Sequence, residues 1–206
     1  MIPQDEKNIK MSENIIIVDG DYIDGVAFDL IVNFERMLDR KIHAADLSQW
    51  IVNIALDGRM REGKHETQVV FLHDKSQATL RYFQPAHYAK ELNQQAFNDP
   101  YLGEFIINTI ATGSAFAEKE TVISDLLQTI LAHKEVRRIM VVPNADDKAT
   151  WNQLKHLFDT PDADEKSITL FAMQPMEGGN FKQQILGYSL LNAMGITAEE
   201  INNKIK

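Results

Sequence analysis

Four branched apolar residues in succession, Ile15-Ile16-Ile17-Val18, form a run that stops abruptly at Asp19-Gly20-Asp21-Tyr22-Ile23-Asp24-Gly25. The run is too short for a buried helix, and its β-branched side chains suit a strand covered on both faces. Beyond it, Val26, Leu30, Ile31, Phe34, Met37 and Leu38 recur at helical spacing, with Asp29, Glu35, Arg36 and Asp39 between them. That pattern predicts an amphipathic helix launched from an acidic loop, its positive N-terminal end beside Asp21 and Asp24. Asp46-Leu47-Ser48 opens a second helix with Trp50, Ile51, Ile54 and Ala55 inward. A charged connection over 58–65 leads to a second buried strand over 68–74, which ends in His73-Asp74. The alternation over 79–83 predicts an exposed third strand stopped by Gln84-Pro85, and 87–95 a short helix. Within 97–113 the apolar run 105–110 fits strand or helix equally.

The second half is plainer. Val122, Leu126, Leu127, Ile130 and Leu131 make the inner face of a helix over 118–133. A buried strand over 139–142 follows Arg137-Arg138 and ends at Pro143-Asn144-Ala145-Asp146-Asp147. Trp151, Leu154, Leu157 and Phe158 mark the next helix, 159–166 a surface turn, and 167–173 a final strand. A closing helix is expected over 181–194 with Gly195 as its left-handed cap, then a terminal helix opened by the capping box Thr197-Ala198-Glu199-Glu200. Strands alternating with helices predict an α/β three-layer, Rossmann-like sandwich with a mainly parallel central sheet. Residues 14–206 read as one domain and 1–13 as a disordered leader, within which Met11 is an alternative start.

Composition narrows the chemistry. The 206 residues are 44% apolar and include no cysteine, which excludes disulfides, thiolate metal sites and cysteine nucleophiles. A net charge of −9 argues against broad binding to nucleic acid through a basic surface. It is compatible with a nuclease, because acidic metal ligands contribute to such a balance. With no signal peptide pattern and no apolar run of membrane-spanning length, the expected compartment is cytoplasmic and no membrane partner is expected.

Three acidic clusters stand out by position: Asp19 and Asp21 after the first strand, Glu118, Glu120 and Asp125 around a helix start, and Asn144, Asp146 and Asp147 after a later strand. In an open parallel sheet such groups fall at the carboxyl edge, where ligands bind. Gathered there, they would offer hard oxygen ligands to Mg²⁺ or Mn²⁺, and such ions activate water and clamp a scissile phosphate. Taken singly, each is an ordinary turn residue or helix cap. The scattered histidines lack ligand spacing, and Phe28, Phe34, Trp50, Trp151 and Phe158 read as core.

Ile16-Ile17-Val18-Asp19-Gly20-Asp21-Tyr22 and the block 119–147 resemble the PIN-like nucleases, in particular their NYN branch. The resemblance implies a metal-dependent ribonuclease in which Asp19 is the leading metal ligand and Asp21 an auxiliary one. Glu120 (or Glu118) and Asp125 would supply the helix ligands, with Asp146 and Asp147 the late pair; the implied catalytic set is Asp19, Asp21, Asp125 and Asp146. The family's late loop usually reads Ser-Gly-Asp-x-Asp-Phe, where this chain has Pro143-Asn144-Ala145-Asp146-Asp147-Lys148. Two alternatives stay open. One is a non-catalytic PIN-like interaction or regulatory module. The other is a haloacid-dehalogenase-like phosphohydrolase using Asp19-Gly20-Asp21, although that family closes its second core strand with Ser or Thr. RNA, a protein partner and self-association all remain open.

Overall fold

The computed structural model describes residues 11–113 and 116–205. Its centre is β1 (Asn14–Asp19), six residues that are all buried. β1 pairs in parallel with β3 (His65–Asp74) on one side and β7 (Arg138–Val142) on the other. Around them runs a seven-stranded sheet in the order β5-β6-β3-β1-β7-β8-β9, with β5 (Gln95–Asp99), β6 (Gly103–Thr112), β8 (Ser167–Ala172) and β9 (Lys182–Ile185). Only β5, a hairpin partner of β6, is antiparallel. The short β2 (Ala45–Asp46) and β4 (Phe83–Gln84) form a separate parallel pair.

Side chains alternate across β1, so the sheet divides the core in two. Ile16 and Val18 face a cluster containing Ile23, Trp50, Ile54 and Leu190, from α1 (Gly20–Leu38), α2 (Leu47–Asp57) and α6 (Leu186–Ala193). Ile15 and Ile17 face Ile123, Leu127, Trp151 and Leu154, from α3 (Phe116–Ala132) and α4 (Lys148–Leu157). The result is a three-layer α/β sandwich with a mainly parallel sheet. Because the crossover from β1 runs to β3 on one side and the crossover from β6 through α3 returns to β7 on the other, the β1/β7 boundary is a topological switch point. α1, α3 and α4 all begin near that edge.

Several elements differ from expectation. No loop separates β1 from α1: Asp19 is itself the N-cap, accepting from the Tyr22 amide at 3.1 Å. Asp21 and Asp24 therefore stand in the first turns of the helix. The stretch 79–83 contributes only Phe83 to a strand, and its Leu80 and Phe83 are fully buried rather than exposed. The expected helix over 87–95 is a single π-helical turn at Tyr88–Leu92, and the ambiguous run 105–110 is strand, paired along its length with β3. The turn over 159–166 contains the short α5 (Pro161–Asp164). β8 is not the last strand, because residues 182–185 pair in parallel with it before α6 begins at Leu186. The terminal capping box is present, with Thr197 and Glu200 exchanging bonds of 3.1 and 3.2 Å ahead of α7 (Ala198–Ile205). The Gly195 cap is left-handed at φ 68°.

Residues 1–10 of the expected leader lie outside the described residues. From Met11 onward the chain is docked: Ser12 Oγ donates to Glu66 at 2.6 Å, and the Glu13 carbonyl accepts from the amides of Arg137 and Arg138. Phe28, expected in the core, is 45% exposed on α1.

Candidate functional site

Asp19 is the last residue of the central strand and is 1% exposed. Two local demands fix it there. As an N-cap it satisfies an orphan amide of α1, and the same Oδ1 accepts from the Lys119 ammonium at 2.7 Å. Lys119 reaches in from the first turn of α3 and also donates to Asp21 Oδ2 at 2.8 Å. Asp21 Oδ2 in turn accepts from the backbone amide of Asp74, at the end of β3, at 2.8 Å. One ammonium therefore joins the ends of β1, α1, α3 and, through Asp21, β3.

The cluster holds more negative charge than this ammonium balances. Glu120, beside Lys119 and 8% exposed, is pushed up from the ordinary 4.5 to about 7, first by burial and then by the charge of Asp19, with Asp147 adding to it. Burial also raises Asp19, outweighing the pull of the Lys119 ammonium and the Tyr22 amide. Burial alone would lower Lys119, but Asp19 and Asp21 outweigh it and raise the ammonium. Tyr22 is raised by burial and by Asp146, which faces it. Asp147 caps α4, accepting from Thr150 N at 2.7 Å and Thr150 Oγ1 at 2.8 Å, and these bonds lower it.

Among the described residues, three carboxyl or amide oxygens at this edge are buried without a hydrogen-bond donor, Asp19 Oδ2, Glu120 Oε1 and Asn144 Oδ1, and the Tyr22 hydroxyl is likewise unmatched. Buried acceptors left unmatched cost roughly 1–3 kcal/mol each, and their occurrence together at the switch point makes this edge the candidate site. The carboxyl and amide oxygens come from the ends of two adjacent strands and from α3. All three are hard oxygen donors of the kind that hold Mg²⁺ or Mn²⁺, so the residues fit a divalent ion through Asp19 and Glu120 with the Asn144 amide. Among the described residues, no three His, Cys, Asp or Glu side chains are disposed to share an ion. An ion here would therefore rest on two carboxylates and an amide.

The acids expected to converge do so only in part. Asp19, Asp21 and Glu120 meet around Lys119, and Asp147 stands near enough to raise Glu120. Asp146 is exposed and faces Tyr22 instead. Asp125 does not join: it is exposed on α3, and at about 100° per residue it projects to the opposite side from Glu120. The Glu118 side chain lies outside the described residues. Lys119 is the residue that sequence reasoning passed over. One signal was available, since a cation in a helix's first turn opposes the helix dipole and needs a counter-charge to sit there.

Beside Asp21 an open cleft of about 610 Å³ runs between α1 and the segment after β3, lined by Asp24, Gly25, Phe28, Arg81, Tyr82 and Tyr88. Phe28 and Tyr82 pack with ring centroids 5.2 Å apart, and Asp24 fixes the segment by accepting from the Tyr82 amide at 2.9 Å. His73 closes β3 stacked on Tyr88 at 3.8 Å. Among the described residues no helix is long and apolar enough to cross a membrane.

No curated protein and no solved structure matches the chain. A family model described as a family of unknown function, DUF6621, matches residues 8–201, nearly the whole chain, and the chain belongs to that family.

Proposed function

We propose that the protein is a divalent-metal-dependent ribonuclease of PIN-like type. The observation that carries the reading is the set of buried, unmatched oxygens on Asp19, Glu120 and Asn144 at the switch point of a parallel sheet. Asp19 and Glu120 would hold Mg²⁺ or Mn²⁺ with Asn144, and Asp146 and Asp147 add negative charge at the rim. The ion, when bound, supplies an activated water and a counter-charge for the phosphoryl oxygens. The chain's own residues do the rest. Lys119 locks Asp19 Oδ1 and Asp21 Oδ2 in place, so that Asp19 presents Oδ2 in one orientation. Glu120, raised to about 7 by burial and then by Asp19, would hold the ion as the carboxylate, its proton passing to solvent as the ion binds. The exposed Phe28 face and Tyr82 offer a surface on which the bases of a single strand can stack.

The test incubates single-stranded RNA with Mn²⁺ and compares the wild type with Asp19→Asn. Cleavage by the wild type that is lost in the variant is expected. No cleavage, or cleavage that survives the change, overturns the catalytic reading.

A second reading, a non-catalytic module on the same scaffold, is favoured by one observation: an ammonium already sits between Asp19 and Asp21, where the resemblance places a metal. It predicts no thermal stabilisation by Mn²⁺. The nuclease reading predicts a rise in Tm that grows with Mn²⁺ concentration and disappears in Asp19→Asn. The phosphohydrolase reading gains nothing from β3, whose end carries the stacked His73 in place of a hydroxyl.

A further inference from the structure

We propose that Lys119 is a fixed second cation, so that the site takes one divalent ion where a two-ion centre would take two. The inference rests on the metal-dependent reading above and adds its stoichiometry. In two-ion centres the metals stand roughly 3.5–4 Å apart and clamp both ends of the displacement. Here the ammonium reaches Asp19 Oδ1 at 2.7 Å and Asp21 Oδ2 at 2.8 Å, with its side chain 9% exposed. Those are the oxygens a second ion would need. Asp19 is divided between two cations by its own geometry: Oδ1 is taken by the ammonium and the Tyr22 amide, and Oδ2 is buried and unmatched. Asp21 Oδ2 is engaged by Lys119 and by the Asp74 amide. The carboxyl and amide oxygens left without a donor, Asp19 Oδ2, Glu120 Oε1 and Asn144 Oδ1, are the ones left for a single ion.

The placement of Lys119 supports a purpose beyond neutralisation. A lysine in the first turn of a helix opposes the helix dipole, and a buried ion pair is often no more stable than an apolar pair of the same size. A device serving stability alone would not require this residue. A permanent positive charge beside one exchangeable ion keeps Asp19 and Asp21 oriented whether or not the ion is present.

The experiment measures Mn²⁺ stoichiometry directly, by native mass spectrometry and isothermal titration, on the wild type and on Lys119→Met. One ion per chain is expected for the wild type, rising to two in Lys119→Met, where Asp19 Oδ1 and Asp21 Oδ2 lose the ammonium and keep only a backbone amide each. Two ions on the wild type overturn the inference and leave the metal-dependent reading standing. No ion on the wild type overturns both. A Lys119→Met protein that folds and still binds a single ion shows a purely structural lysine and overturns the inference. Should that variant not fold, the wild-type stoichiometry decides the question.

Discussion

Replacing Glu120 with glutamine should stabilise the metal-free protein at alkaline pH and leave it unchanged in acid. Glu120 is 8% exposed, and its carboxyl is raised from 4.5 to about 7, chiefly by burial and then by Asp19. Below pH 4.5 both the folded and unfolded chains carry the proton, and the group contributes no pH dependence. Between 4.5 and about 7 the unfolded chain has lost the proton while the folded one keeps it. Folding is then opposed by about 1.4 kcal/mol for each pH unit, and the opposition levels off above the folded pKa. The accumulated cost is about 3 kcal/mol at pH 8. Glutamine cannot ionise and escapes it. For a chain of this size about 3 kcal/mol corresponds to roughly 6–12 °C in Tm. Urea denaturation of both proteins in EDTA at pH 4.5 and pH 8 measures the difference. Coincident curves at pH 4.5 and a higher midpoint for Glu120→Gln at pH 8 are expected. A variant no more stable than the wild type at pH 8 refutes the charge accounting of the site. In the presence of Mn²⁺ the order should reverse at pH 8, because the wild type alone offers the ion a second carboxylate.

Other substitutions test the scaffold. Asp19→Ala removes the α1 cap and one of the two counter-charges of a buried ammonium, and should cost about 3–5 kcal/mol in denaturant melts. Gly103→Ala should cost more than about 1 kcal/mol, because φ there is +90° and a Cβ would stand against the His65 backbone; circular dichroism melts report it. Gly25→Ala, within α1 with open space at the Cβ position, should instead stabilise by about 0.5–1 kcal/mol in the same assay.

The sheet was legible where a single physical signal dominated. β1 and β7 are short apolar β-branched runs buried on both faces, and no helix of that length could bury them. The helices α1, α2 and α4 announce themselves by apolar spacing and by an aspartate at the cap. Legibility failed where tertiary pairing overrode the local pattern. Lys182-Gln183-Gln184 has no strand composition, and it becomes β9 because the free edge of β8 needs a partner. The run 105–110 was undecidable locally, since both the strand and the helix templates accept it; β3 decides it by supplying an adjacent ladder. Phe28 was read as core because aromatic residues on amphipathic helices usually are, yet it is 45% exposed and lines the cleft beside Tyr82.

The candidate site was half legible, for a reason that lies in charge. Acidic residues after apolar strands could be seen to gather at one edge, and Asp19, Asp21 and Glu120 do. Sequence position alone cannot say which acid a helix turns inward. The burial of Ile123 and Leu127 fixes the phase of α3, which brings Lys119 and Glu120 in and sends Asp125 out. Nor can a count of acids reveal that a lysine between two glutamates is the residue they are arranged around. The structure answers in part how several like charges tolerate one another, because the Lys119 ammonium lies between Asp19 and Asp21. With Oδ1 of Asp19 and Oδ2 of Asp21 already satisfied by one ammonium, the proposal of a single divalent ion rests on the oxygens that remain unmatched on Asp19, Glu120 and Asn144.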